Sequence, residues 1–353
     1  MNTFFETIKE IHNNLIDEQS KDIFIDRLLY SLLDDKKYID EIVRRYVLAS
    51  GLNEKGVIKY LLVGAENISD SDEIVVYGCG EMGEKIYAML GEKIVCFCDR
   101  DPQKQRNGFC GKKVISLEQL IEKKSVYKVI IGSIDYYMDI YDTLRKVGIQ
   151  LVSDNHEIIQ EWMEIVDRQY FDKEIIKYGN DEVFIDGGCL NYASSKQFLK
   201  ECPSVKKIFA FEPDSESAKR CRMEAGKMKK HEYEIIEKGL YSVSTQLNFR
   251  SMGNGCSGIS NDGECIVNVC SIDEEIHERV TFIKMDIEGA ELEALKGAKE
   301  TIKRYRPKLA ICVYHKPEDI VEIPKYILNI NPDYKLYLRH YSDNAGETVL
   351  YAI

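Results

Sequence analysis

The sequence predicts an α/β protein with two separate sheets, and three observations carry that prediction. From about residue 72 onward, short apolar runs alternate with helix-length stretches. A helical-looking segment at 156–180 interrupts the alternation, which then resumes. The chain ends in two strand-like runs, Lys335 to His340 and Thr348 to Ile353, joined by a turn through Asp343-Asn-Ala-Gly346. Strands separated by helix-sized crossovers pair in parallel, whereas two strands joined by a short turn must be antiparallel. The predicted layout is a helical segment at 1–68, a small α/β domain at 69–155, a helical connector at 156–180 and a larger α/β domain at 181–353.

A length of 353 residues suits two domains, and 44% hydrophobic with 31% charged residues allows sizeable cores. The net charge of -12 argues against a protein that grips nucleic acid by neutralising phosphates. No apolar run is long enough for a membrane span, and the acidic N-terminal stretch has no signal-peptide core. Eleven cysteines are scattered through the apparent strands and helices without a Cys-x-x-Cys pair or a zinc-type His/Cys cluster. Free buried thiols in a cytoplasmic protein account for them best.

Within residues 1–65, Ile8, Ile11 and Leu15, and then Ile39, Ile42, Val43 and Tyr46, keep helical spacing. These stripes are packing surface, either against another domain or between subunits, so a homo-oligomer is compatible with them. The first α/β unit has strands at 73–78, 93–99 and 127–132, with helices at 84–90, 117–123 and 136–147. The second has strands at 181–186, 207–212, 234–237, 282–286 and 308–314, with helices at 290–305 and 317–330. Residues 246–275, rich in Gly, Ser and Asn, read as an inserted hairpin.

Open parallel sheets bind ligands beyond the carboxyl ends of their strands, where the strand order reverses. In the second unit those ends carry Asp186-Gly187-Gly188 and, about 25 residues later, Glu212. Small residues after the first strand let a ligand approach the backbone, and an acid ending the second strand can accept bonds from both hydroxyls of a ribose. On spacing alone a nucleoside-bearing cofactor is indicated, with NAD and S-adenosyl-L-methionine fitting equally; the alternative is that both acids merely end strands near the surface.

Four segments narrow this. Val183-Phe-Ile-Asp-Gly-Gly188, Phe209-Ala-Phe-Glu-Pro-Asp214 and Phe282-Ile-Lys-Met-Asp-Ile-Glu-Gly-Ala-Glu-Leu-Glu-Ala-Leu295 resemble the FkbM family of methyltransferases, as does Pro307 to Pro324, over about residues 181–353. The resemblance implies a seven-stranded Rossmann-like sheet with an antiparallel C-terminal hairpin, S-adenosyl-L-methionine as donor, and O-methylation of a small or glycan-like acceptor. It also implies that Asp186, Gly187 and Gly188 line the methionine end of the cofactor and that Glu212 holds the ribose. Asp286 and Glu288 would then lie beside the transferring methyl, and Ser257 stands where the family often has a serine in the inserted hairpin. One position departs: the family commonly has a glycine four residues after Gly188, where this chain has Tyr192. A side chain there would crowd the cofactor unless the loop bends differently; it could instead stack on the ligand or mark weakened binding.

A hydroxyl acceptor must lose a proton during attack, which calls for a carboxylate, a histidine or a metal near the methyl. Asp286, Glu288, Tyr314 and His315 fall at or just past strand ends, and His315 is the natural base by its ordinary pKa. Glu291 and Glu293 read as favourable charge near a helix N-terminus on a solvated face rather than as metal ligands; no metal site is expected. His12, His156, His231, His277 and His340 form no ligand cluster in the sequence.

The first unit carries Gly78-Cys-Gly-Glu-Met-Gly83 after a strand, with Asp99 about 20 residues on. Gly78, Gly80, Gly83 and Asp99 are thus a candidate nucleotide site. The region resembles the small Rossmann-like domains that precede sugar-modifying modules, and NAD binding, nucleotide-sugar binding and a purely structural role all remain open there. An NAD-linked oxidoreductase would need a catalytic Tyr/Lys or His arrangement after that domain, and Tyr136-Tyr137 lacks a lysine four residues later, where Tyr141 stands. A further alternative is a binding protein with a degenerate, non-catalytic methyltransferase domain.

Overall fold

Apolar β-branched and aromatic runs form the strands, and amphipathic stretches with polar caps form the helices between them. The computed structural model describes residues 3–47, 61–62, 64–134, 136–228, 231–250, 258–259, 263 and 265–353. They fall into two compact units, Met1–Ala49 with Val166–Ile353, and Ser50–Ile165.

The chain opens with helices α1 (Phe4–Asn14), α2 (Glu18–Leu33) and α3 (Lys37–Ile42). Thr3 and Glu6 close a capping box on α1, and the Asp17 carboxylate takes the Ser20 N–H at the start of α2. Ile11, Leu15, Ile39, Ile42 and Val43 are buried, as their spacing predicts.

The second unit holds one parallel sheet: β1 (Glu73–Tyr77), β2 (Ile94–Cys98), β3 (Val114–Ile115), β4 (Tyr127–Ile131) and β5 (Gln150–Leu151), in the order β3-β2-β1-β4-β5. The two strands missing from the sequence reading are edge pairings of two residues each, too short to leave a period. Helices α4 (Glu81–Leu90), α5 (Pro102–Asn107), α6 (Leu117–Glu122) and α7 (Tyr137–Val147) make the connections.

Helix α8 (His156–Asp167) ends well before the predicted limit of the connector at 180. Tertiary contacts override helical propensity here. Tyr170 adopts a left-handed backbone (φ 67°), and Phe171 enters an aromatic cluster with Phe184, Phe198 and Phe282.

The larger unit contains a seven-stranded sheet of β6 (Glu182–Gly187), β7 (Val205–Phe211), β8 (Glu232–Ile236), β13 (Phe282–Met285), β14 (Lys308–Cys312), β15 (Leu336–His340) and β16 (Thr348–Ala352). The order is β15-β16-β14-β13-β6-β7-β8. Strands β6, β7, β8, β13 and β14 are mutually parallel, and β16 runs antiparallel to both β14 and β15. The C-terminal hairpin is therefore present with the predicted sense. A separate four-stranded sheet, β9 (Gly239–Leu240), β10 (Thr245–Arg250), β11 (Gly258–Ile259) and β12 (Cys265–Cys270), takes the place of the simple inserted hairpin. Ser257 lies outside the described residues.

Helices α9 (Ala193–Glu201) and α10 (Ser215–Ala225) follow β6 and β7, and α11 (Ile272–Glu275) follows β12. The helix expected across 290–305 is two, α12 (Glu291–Lys296) and α13 (Lys299–Tyr305). They are separated at Gly297, where a β-carbon would meet the Tyr241 carbonyl oxygen at 2.1 Å. Helix α14 (Asp319–Ile330) precedes the hairpin.

The N-terminal helices cover the β15 edge of this sheet. Ser20 Oγ accepts the Leu338 N–H at 2.9 Å, Arg339 pairs with Asp17 at 2.8 Å, and Arg27 donates to the Ala345 carbonyl at 2.6 Å. Covering an edge strand removes a template for pairing with another chain. None of the described cysteines is in a disulfide, and most are buried. No described helix is long and apolar enough to cross a membrane.

Candidate active site

Strand order in the large sheet runs from β6 outward through β7 and β8, then returns to β13 on the other side of β6. A crevice must open at that reversal, beyond the carboxyl ends of β6, β7 and β13. A cleft of ≈ 240 Å³ lies there, lined by Tyr170, Gly188, Leu190, Glu212, Lys284, Asp286 and Glu288, with Leu240, Phe249, Val267 and Val269 as an apolar wall.

Of the residues predicted to hold a cofactor, Gly188, Glu212 and Asp286 reach this cleft. Asp186 and Gly187 do not line it. Asp186 is fully buried: its Oδ2 accepts from Ser194 Oγ and Ser195 Oγ, both at 2.6 Å, and its Oδ1 lies 3.2 Å from Lys284 Nζ. Lys284 also donates to the Gly187 and Gly188 carbonyls, at 3.0 and 2.8 Å. Burial works against the charge on Lys284, and Asp186 and Asp286 outweigh it, holding the ammonium above the ordinary lysine range. This pair fixes the β6 turn from below. The sequence signal for it was a lysine inside an otherwise apolar central strand, which must find a carboxylate.

Glu212 ends β7 with Oε2 accepting the Leu190 N–H at 2.9 Å and Oε1 accepting the Asp214 N–H at 3.0 Å. Burial raises its pKa above the usual carboxylate range. It ties the loops after β6 and β7 together at the wall of the cleft.

Of the alternatives for Tyr192, the structure shows the one in which the loop turns the ring away from the cleft. The residue has φ 66°, so the backbone takes the left-handed conformation in which a glycine is easiest, but the ring is fully buried and does not line the cleft. Its hydroxyl comes within 3.4 Å of His231 Nε2.

At the other end, Asp286 follows β13. Its Oδ2 accepts from the Tyr170 hydroxyl at 2.7 Å and its Oδ1 from the Tyr314 hydroxyl at 3.2 Å. Burial would raise its pKa, but Lys284 and His315 overcome this and hold the carboxyl low. Glu288 has φ 54°, and burial followed by Asp286 pushes its carboxyl up to about 7. His315 Nε2 lies 3.4 Å from Asp286 Oδ1 and 3.6 Å from Glu288 Oε2, so the structure brings together all three residues named as catalytic. His315 does not line the cleft itself; its side chain is 9% exposed. Burial lowers its pKa, while Glu291, Asp286 and Glu288 more than reverse this and push it up to about 9. At neutral pH, in the absence of any other cation, the imidazole thus holds its proton and cannot accept another.

Sequence reasoning missed Tyr170 and misread Glu291. Tyr170 sat in a presumed helix. Glu291 is fully buried, not solvated: Oε1 accepts the Ile287 N–H at 2.8 Å and lies 2.9 Å from His315 Nδ1. Glu293 keeps to the surface with Lys296. His12, His156 and His277 contribute nothing to the cleft, and His340 is buried against Thr348.

In the other unit, Gly78, Gly80 and Asp99 line a cleft of ≈ 720 Å³ beyond β1 and β4. A β-carbon on Gly83 would meet the Gly78 carbonyl oxygen at 2.2 Å, so this glycine serves helix–strand packing. The Asp99 carboxylate is engaged by the loop itself, accepting the Cys79 N–H at 2.8 Å and the Asp101 N–H at 2.9 Å.

Residues 185–339 match the methyltransferase FkbM domain family, and residues 70–159 match the C2185-like N-terminal family. The 2-O-methyltransferase NoeI of Sinorhizobium fredii is 25% identical over 198 residues, 48% of this chain and 79% of that protein. Among solved structures, a methyltransferase FkbM from Methylobacillus flagellatus is 19% identical (TM-score 0.45), covering 83% of this chain and 93% of that one. A methyltransferase from Streptococcus mutans, solved in complex with SAH, is 11% identical (TM-score 0.32), covering 55% and 97%. The C-terminal half of this chain is a methyltransferase domain of the FkbM family.

Proposed function

We propose that the protein transfers a methyl group from S-adenosyl-L-methionine to a hydroxyl of a saccharide or nucleotide-linked sugar. The observation that carries the reading is the cleft at the strand-order reversal, with Glu212 at one end and Asp286 and Glu288, backed by His315, at the other. The residues fit the donor: Gly188 presents bare backbone to the cleft, Glu212 can take the ribose hydroxyls, and the Leu240, Val267 and Val269 side chains can cover an adenine. When bound, that donor supplies an electrophilic methyl group on a good leaving group. The protein's part is then to align the acceptor, exclude water and take up the hydroxyl proton. Asp286 and Glu288 line the cleft and are the carboxylates placed to take that proton, with the His315 imidazole beside them.

The acceptor end presents carboxylates, an imidazole and the Tyr314 hydroxyl, which suits a polyhydroxylated acceptor better than an apolar one. The name of the relative NoeI, a 2-O-methyltransferase, supports oxygen as the acceptor atom. For residues 69–155, the parallel order β3-β2-β1-β4-β5 supports a Rossmann-like domain of nucleotide-binding type, with Gly78, Gly80 and Asp99 at its mouth.

Calorimetric titration of S-adenosylmethionine and S-adenosylhomocysteine into the wild type and Glu212→Ala tests the reading. Micromolar binding, weakened at least tenfold (about 1.4 kcal/mol) by the substitution, is expected. Absence of binding to the wild type overturns it.

A further inference from the structure

We propose that Asp286, Glu288 and His315 form a binding site for a divalent cation of the Mn²⁺ and Mg²⁺ class. The three residues each present one donor atom, and these atoms all lie within 4.8 Å of one another. His315 Nε2 is 3.4 Å from Asp286 Oδ1 and 3.6 Å from Glu288 Oε2. A cation about 2.1–2.2 Å from its ligands, at angles between square and tetrahedral, spaces neighbouring donors about 3.0–3.6 Å apart. The imidazole therefore already stands in adjacent-corner positions to both carboxylates.

The second observation is the histidine itself. Its side chain is 9% exposed and has carboxylates within 3.6 Å of both ring nitrogens, yet neither nitrogen makes a hydrogen bond of good geometry to them. Buried polar groups nearly always have one, and an exception asks for an explanation such as strain, a catalytic role or a bound ion. Nε2 is the atom nearest both carboxylates. On the far side of the ring, Nδ1 is 2.9 Å from a carboxylate oxygen of Glu291, whose own Oε2 is buried without a partner. A carboxylate behind the non-ligating nitrogen is the arrangement that orients a metal-binding histidine and raises its basicity. Asp286 is oriented in its turn by the Tyr170 and Tyr314 hydroxyls.

The donor set selects the cation. Two carboxylates and one imidazole, with no thiolate among them, favour a harder divalent ion, and three protein ligands leave positions open for water or an acceptor hydroxyl. The cation's use toward an acceptor hydroxyl rests on the methyl-transfer reading above; its binding does not.

The test is titration of MnCl₂ into the full-length protein without S-adenosylmethionine or acceptor, followed by calorimetry and by the electron paramagnetic resonance signal of free Mn²⁺. One saturable site is expected, at least tenfold weaker in Glu288→Gln and in His315→Asn and unchanged in Glu293→Gln. Pulsed resonance on the loaded wild type should show coupling to one imidazole nitrogen. Circular dichroism checks that each variant is folded, and Glu288→Gln, at a half-exposed side chain, decides the matter if His315→Asn fails to fold. No saturable binding by the wild type, or binding that Glu288→Gln leaves unaltered, overturns the proposal. Titration with S-adenosylmethionine is run separately, so loss of the methyl-transfer reading and loss of the cation site are distinguishable.

Discussion

A β-carbon on Gly188 would sit 2.0 Å from the carbonyl oxygen of Asp286. The turn after β6 and the end of β13 therefore touch backbone to backbone, and that contact sets the floor of the cleft between the two ends of the site. Gly188 also has φ 74°, a conformation that costs other residues about 1–2 kcal/mol.

Gly188→Ala is expected to lower unfolding stability by about 2–4 kcal/mol, from the unfavourable φ together with overpacking. It should weaken S-adenosylhomocysteine binding more than tenfold. Urea unfolding and calorimetry read both effects, and a variant within 1 kcal/mol of wild type would show that the two ends separate freely.

Lys284→Met leaves the Asp186 carboxylate buried without its cation, at a cost of about 3–5 kcal/mol. Adding Asp186→Asn removes the stranded charge and should recover at least half of the loss. If the double variant is as unstable as the single one, the ion pair is not what fixes the β6 turn.

Tyr192→Gly relieves the left-handed backbone but empties a buried ring site. The net effect is a loss of about 2–4 kcal/mol, cavity cost outweighing relief. Because the ring does not line the cleft, affinity for S-adenosylhomocysteine should change less than threefold in the conservative variant Tyr192→Phe. A large change in that affinity would mean that the ring reaches the ligand after all.

His340 gives the fold a pH dependence. Burial, reinforced by Arg27, pushes the imidazole down to about 3 from its ordinary 6.5, and Nε2 has no partner. With the folded-state value depressed, the unfolded chain binds the extra proton between these limits. The stability is complete above about pH 6.5 and falls as pH drops toward 3, by about 1.4 kcal/mol per unit. His340→Gln should unfold with a shallower slope across pH 4–6.5 than the wild type; parallel curves would refute the assignment.

Period and punctuation made much of the fold legible. Alternating apolar and helical segments gave both parallel sheets, and the turn at 343–346 gave the antiparallel hairpin, because strand sense follows from connection length. The Lys-Met-Asp-Ile-Glu-Gly string also carried the family, borne out by the match over 185–339. The two-residue strands β3 and β5 and the end of α8 were not legible, since pairings that short have no period and the break at Tyr170 is imposed by distant partners.

The sequence by itself determined the sheets, the hairpin and which acids stand at strand ends, all of which depend on local pattern. Only the tertiary structure decided which groups face one another. It turned Asp186 inward to Lys284, buried Tyr192 away from the cleft, brought Tyr170 across 116 residues to Asp286, and set Glu291 behind His315. The physical reason is that a side chain's charge state and role depend on burial and on partners remote in the chain, and neither leaves a trace in spacing.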